Sequence, residues 1–123
     1  MRDLMLFSES QKMGDAGEYF TKAFLEDHGL RMKRLDRPMP NLPEFKIEDQ
    51  PVFIDVKSQA SARTPLWKKF YYIKLAKMGW KIYMSHPRLK MRNDQIICER
   101  IDWYEFIQDG SIQKISEIPI KGV

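Results

Sequence analysis

Apolar and small residues recur at Met13, Ala16, Gly17, Phe20, Ala23 and Phe24, at offsets of 3, 4, 7, 10 and 11. That spacing predicts an amphipathic helix. Ser8 and Ser10 suit its N-cap, and Gly29, after Asp27-His28, suits the C′ position that ends it. Gly14 and Gly17 each lower helix propensity by ~1 kcal/mol against alanine, which points to close packing of helix on sheet. Leu30 to Leu35 predicts a short strand, and the stretch from Asp36 to Pro43, with Pro38, Pro40 and Pro43, a loop. Glu44 to Ile47 and Val52 to Lys57 alternate as strands around a turn at Glu48-Asp49-Gln50-Pro51, a hairpin. In the second strand Val52, Ile54 and Val56 face one way, and Phe53, Asp55 and Lys57 the other.

Pro65 suits the first turn of a second helix with Trp67, Tyr71, Leu75 and Met78 as its stripe, widened by Phe70 and Ile73 and ended by Gly79. Trp80 to Ser85 predicts a strand followed by Pro87, and Asp94 to Cys98 another strand. Ile101 to Ile107 predicts a short helix, and Ile112 to Ile118 a weak strand. The order implies an α/β fold, a small mixed β-sheet flanked by helices, in one domain over residues 1–123.

Composition narrows the classes. Of 123 residues, 43% are hydrophobic and 12% aromatic, enough for a core and too many for intrinsic disorder. No apolar run reaches the ~20 residues of a membrane span. The absence of a secretory pattern and the single cysteine, Cys98, point to a reducing, cytoplasmic setting without disulfides or thiolate metal sites.

Charge is segregated. Residues 1–56 carry 8 basic and 11 acidic groups, residues 57–93 carry 10 basic and none acidic, and residues 94–123 carry 3 basic and 6 acidic. Ten like charges in one stretch repel unless a polyanion or the acidic flanks answer them, so a phosphate-binding surface is the leading expectation.

The local chemistry centres on Ile54-Asp55-Val56-Lys57. A carboxylate and an ammonium two apart on one strand face lie ~6–7 Å apart at the backbone, so both reach one small site. The carboxylate suits a hard cation such as Mg²⁺; the lysine can orient water or stabilise charge on a phosphate. Taken alone, such a pair is more often a surface ion pair; its place at the end of an apolar strand raises it. Glu44, on the preceding strand, is the first candidate for a second acid, ahead of Asp36, Glu48 and Asp49. Glu18 sits at the border of the first helix's apolar stripe, where it either leans over a sheet edge or faces solvent.

The set Glu18, Pro43-Glu44 and Asp55-Val56-Lys57, on helix, strand and strand, resembles the PD-(D/E)xK nuclease superfamily, nearest in style to its small Holliday-junction-resolvase-like and phage-endonuclease members. The resemblance covers residues 10 to 85. Glu44 stands where the pattern has Asp, and Asp55 where Glu is more usual. It implies a restriction-endonuclease-like core, αβββαβ. Glu44 and Asp55 would bind Mg²⁺ or Mn²⁺ with the Val56 carbonyl, Glu18 would complete the shell, and Lys57 would position the attacking water. The products would carry 5′-phosphate and 3′-hydroxyl ends.

The basic segment then reads as a nucleic-acid track, DNA favoured over RNA: Arg63, Lys68, Lys69 and Lys74, extended by Lys77, Lys81, Arg88, Lys90 and Arg92. Gln59 or Ser58 either touches a phosphate or caps the strand end. His86 is expected to be structural before it is a phosphate contact, and Trp67, Tyr71, Tyr72, Trp80, Trp103 and Tyr104 core or interface. A small cutter that makes two incisions would act as a homodimer. Two other readings stand beside this one: a non-catalytic nucleic-acid-binding module of the same fold, and a basic face that docks an acidic protein.

Overall fold

The computed structural model describes residues 4–6, 13–35, 45–57 and 66–118. Helix α1 (Met13–Asp27) turns Ala16, Phe20 and Ala23 inward, as the apolar period requires, and buries Leu25 where the stripe had Phe24, which is half-buried. It ends where Gly29 takes φ 80° and the Leu30 amide donates to the Leu25 carbonyl at 2.9 Å. Helix α2 (Leu66–Lys77) ends the same way, with Gly79 at φ 99° and the Trp80 amide on the Leu75 carbonyl at 3.1 Å. Both are Schellman caps, which need the left-handed backbone that glycine adopts without strain.

The sheet comprises β1 (Leu4–Leu6), β2 (Met32–Arg34), β3 (Phe45–Ile47), β4 (Val52–Val56), β5 (Lys81–Arg92), β6 (Gln95–Phe106) and β7 (Ile112–Ile115). Its order is β1-β6-β5-β4-β3-β2, and β7 also pairs with β6. Strands β4 and β5 run parallel, joined through α2, and the other pairings are antiparallel. The fold is therefore α/β with a mixed sheet and two helices. The elements α1, β2, β3, β4, α2 and β5 follow one another as the residue pattern predicts, and β1 precedes them. Among the described residues, no helix is long and apolar enough to cross a membrane.

Each helix covers one sheet face. Leu25 of α1 packs with Val52, Ile54, Tyr83 and Trp103, while Phe20 packs with Ile96 and Cys98. Tyr72 of α2 packs with Phe53, Ile82, Met84 and Phe106 on the other face. Alternation along β4 thus sends Val52 and Ile54 toward α1, and Phe53 and Asp55 toward α2.

Three expectations are corrected. Residues 101–107 form no helix: Ile101 to Phe106 belong to β6, one strand of 12 residues that includes the expected 94–98 segment from Gln95 on. Both faces of the sheet are covered here, so apolar residues fall on both and blur the period of two. Strand β5 does not stop before Pro87 but runs through it to Arg92. The Lys57 amide donates to the Ser85 carbonyl at 2.8 Å, so alternate residues Ser85 and Pro87 address β4. The amide hydrogen that proline lacks would have pointed past the end of β4, and pairing to β6 is undisturbed. Among the described side chains of α2, Tyr72 and Ala76 are buried, whereas Phe70 and Tyr71, and Met78 just after the helix, are exposed. Apolar residues occur all round that helix, and its phase is set by the sheet.

Strands β5 and β6 form a long hairpin. Asn93 and Asp94 turn it with φ 51° and 62°, the paired positive angles of a type I′ turn. The register steps from Arg88 opposite Arg100 to Leu89 opposite Cys98, leaving Glu99 as the extra residue of a bulge.

Candidate functional site

Asp55 lies at the penultimate position of β4, in the middle of the sheet, and is 2% exposed. Its Oδ2 accepts a hydrogen bond from the buried Tyr72 hydroxyl at 3.0 Å and lies 3.2 Å from Lys57 Nζ. The alternation expected for Asp55 and Lys57 therefore holds, and α2 supplies a third member that the sequence reading assigned to core or interface. Val56, between them, ends β4 and faces the α1 side. The pair stands at the carboxyl end of β4, beside its parallel neighbour β5, the kind of position at which open α/β sheets bind ligands.

The other expected acids are placed differently. Glu18, on α1, pairs with Arg34 of β2 and lines a cleft of ≈ 350 Å³ with Tyr19, Met32 and Phe45. Arg34 lies opposite Phe45 and Phe45 opposite Ile54, so Glu18 shares the end of the sheet with Asp55. It pairs on the α1 side, whereas Asp55 faces α2. Glu44 lies outside the described residues, as do Gln59, Ser58 and Arg63; its chain neighbour Phe45 pairs with Ile54. The hairpin expected of β3 and β4 is present, with Lys46 opposite Phe53.

The basic segment divides. Lys68 and Lys69 fall in the first turn of α2, and Lys74 is exposed on that helix. Three of the extended track meet acids from residues 94–123: Lys81 with Glu105 at 3.6 Å, Lys90 with Glu99 at 3.4 Å, and Arg88 with Asp102 at 2.6 Å. The acidic tail thus neutralises part of the charge that looked unopposed along the chain.

The last of these pairs belongs to a network the sequence reading missed. Asp102, 7% exposed, takes Arg88 Nε on Oδ2 and Arg100 Nε on Oδ1 at 3.2 Å, with Lys114 Nζ 4.0 Å away. Arg88 also reaches His86 Nε2 at 3.5 Å and the Tyr104 hydroxyl at 3.4 Å. The Arg88 hydrogen bond holds Asp102 below the usual carboxylate range, and the same bond raises Arg88. Burial, then the neighbouring Arg88 charge, pushes His86 down, and the Asp102 charge opposes that shift.

A carboxylate with a lowered pKa stabilises the fold fully above its unfolded value of ~3.9, and the gain disappears as pH falls through the folded value. The unfolding free-energy gap between wild type and Asp102→Asn should therefore be constant above that pH and narrow below it, as followed by denaturant titrations monitored by circular dichroism.

Comparison of the chain with protein-family models, with curated proteins and with solved structures gave no match.

Proposed function

We propose that the chain is a metal-dependent endonuclease that hydrolyses phosphodiester bonds in nucleic acid, DNA in preference to RNA, with Asp55 and Lys57 at its centre. The observation that carries this reading is the pairing of buried Asp55 with part-buried Lys57 at the end of β4. Buried ion pairs are weak stabilisers, because desolvation offsets their attraction, so a carboxylate and an amine placed together at the end of a strand point to chemistry. The run α1-β2-β3-β4-α2-β5 supports a restriction-endonuclease-like core.

Asp55 fits a hard cation. Mg²⁺ commonly binds through one or two carboxylates and takes its remaining oxygens from water and substrate phosphate. Among the described residues no three His, Cys, Asp or Glu side chains gather into a metal site. Glu44 is the second carboxylate assigned by this reading, and the Val56 carbonyl a further ligand. When bound, Mg²⁺ or Mn²⁺ would lower the pKa of water and neutralise phosphate charge. Within the chain itself, Tyr72 holds the Asp55 carboxylate in one orientation. Lys57 presents its ammonium beside that carboxylate, where it can orient water and stabilise charge growing on the phosphate.

Glu18 favours the second reading, a non-catalytic nucleic-acid-binding module. Its bond to Arg34 on the α1 side already engages the helix carboxylate that the resemblance assigns to the Asp55 centre. Incubation of the purified protein with branched, single-stranded and duplex DNA, and with RNA, in Mn²⁺ or EDTA separates the two. Cutting in Mn²⁺ alone, to ends that ligate through a 5′-phosphate, is the expected result; binding without cutting on every substrate would establish the module instead.

A further inference from the structure

We propose that Arg88, Arg100 and Lys114, gathered over the buried carboxylate of Asp102, form an anchoring site for a backbone phosphate of nucleic acid. The proposal rests on the nuclease reading for the class of its ligand, and its geometry is independent of that reading. Alternation places the cluster on the α2 side of the sheet: Tyr104 packs with the Tyr72 core, and Asp102 and Arg100 share its parity on β6. His86 and Arg88 follow Met84 with the same parity on β5. Lys57 follows Val56, the partner of Ser85, and so comes level with His86. The anchoring site and the Asp55–Lys57 pair therefore share one face, with Lys57 and Asp102 about 10 Å apart across two ladder spacings.

The charge arrangement is what a structural ion pair would not need. Arg88 and Arg100 stand directly opposite each other on neighbouring strands, a like-charge pairing that destabilises a sheet. Asp102 offsets it by giving one carboxylate oxygen to each Nε. One carboxylate under three cations still leaves a surplus of two positive charges. The carboxylate is at the bottom, its side chain 8% exposed, while the side chains of Arg100 and Lys114 are 65% and 63% exposed. Asp102 thus fixes the guanidinium of Arg100 from beneath through Nε and leaves the two terminal nitrogens free of any other described hydrogen bond, as a fork-shaped anion contact requires. The bulge at Glu99 lies between Arg100 and the end of the hairpin, and bulges commonly re-aim side chains beside functional sites. Repulsion between the opposed arginines falls when a phosphate sits over them, so the anion is favoured by contact and by relief together.

The test is binding in EDTA, where cleavage plays no part. A labelled duplex DNA and an RNA duplex of the same sequence are titrated by fluorescence anisotropy across a range of salt. Each phosphate contact contributes a slope of about −0.9 in log affinity against log salt. The double variant Arg100→Gln/Lys114→Gln should flatten that slope by about 0.9 and weaken low-salt binding by about tenfold or more, on whichever duplex the wild type binds. Lys22→Gln, on the outer surface of α1, should leave the slope as it is, and circular dichroism melts confirm that the variants fold. An unchanged slope in the double variant overturns the proposal. So does a wild type that binds polyglutamate but neither duplex. A protein that shows the flattened slope yet never cuts in Mn²⁺ removes the nuclease reading and leaves the anchoring site standing. One that cuts, with the double variant's slope intact, does the reverse.

Discussion

Asp55→Asn is expected to lower Mn²⁺-dependent cleavage by about a thousandfold or more, the scale at which charge-stabilising active-site groups act. Asparagine keeps the volume of the side chain and an oxygen that can accept from Tyr72, so the fold should survive and nucleic-acid binding in EDTA should persist. The loss then lies in the chemical step. Cutting at the wild-type rate, in protein freed of contaminating nuclease, would show that the centre lies elsewhere. Lys57→Met should also abolish cutting, but with a stability cost, because it leaves the buried carboxylate of Asp55 without its cation. Removing one partner of a buried pair typically costs about 3–5 kcal/mol, whereas removing both is often close to neutral. The double variant Asp55→Asn/Lys57→Met should therefore be more stable than Lys57→Met alone in denaturant unfolding.

Tyr72→Ala is expected to destabilise the protein by about 3–5 kcal/mol, the usual range for truncating a large buried aromatic. Tyr72 is fully buried and meets Phe106 edge-on, with ring centroids 5.3 Å apart. It is also the side chain through which α2 bonds to Asp55. Tyr72→Phe separates the two roles. It keeps the ring and removes the hydroxyl, at about 1–3 kcal/mol for a charged acceptor losing its donor. Under the nuclease reading it should lower the cleavage rate without weakening binding in EDTA, since its effect is on the orientation of Asp55. Equal stability of Tyr72→Phe and wild type in urea unfolding would mean that the hydroxyl contributes nothing there.

Local periodicity made part of this protein legible. The inward face of α1, the β3–β4 hairpin and the shared direction of Asp55 and Lys57 each follow from spacing within a dozen residues. Both helix stops were visible in Gly29 and Gly79, whose left-handed angles other residues adopt only with strain. What spacing could not supply was phase against a distant surface. Tyr71 and Tyr72 are adjacent aromatics on a helix with apolar residues on every side, and packing against Phe53 and Phe106 selects Tyr72. Glu18 was correctly placed on a helix, yet which face that helix covers is decided by the whole chain.

The Asp102 network was the least legible. Its arginines sit on two strands whose alignment depends on a two-residue turn and a one-residue bulge. Reading residues 101–107 as a helix sent Asp102 and Tyr104 to the wrong period. The signal that would have found them is parity: counted outward from the Asn93-Asp94 turn with one residue skipped, Arg88 meets Arg100 and His86 meets Asp102.

Pro87 also bears on how this chain can vary. An insertion after Lys57 that lengthened β4 against β5 would lack one ladder hydrogen bond, because residue 87 has no hydrogen to offer. Extra residues there would enter the connection to α2 and leave the alignment of the seven strands as it is. The proline removes one ladder hydrogen bond that a longer β4 would need, which favours the present end of the strand, where Asp55 and Lys57 sit.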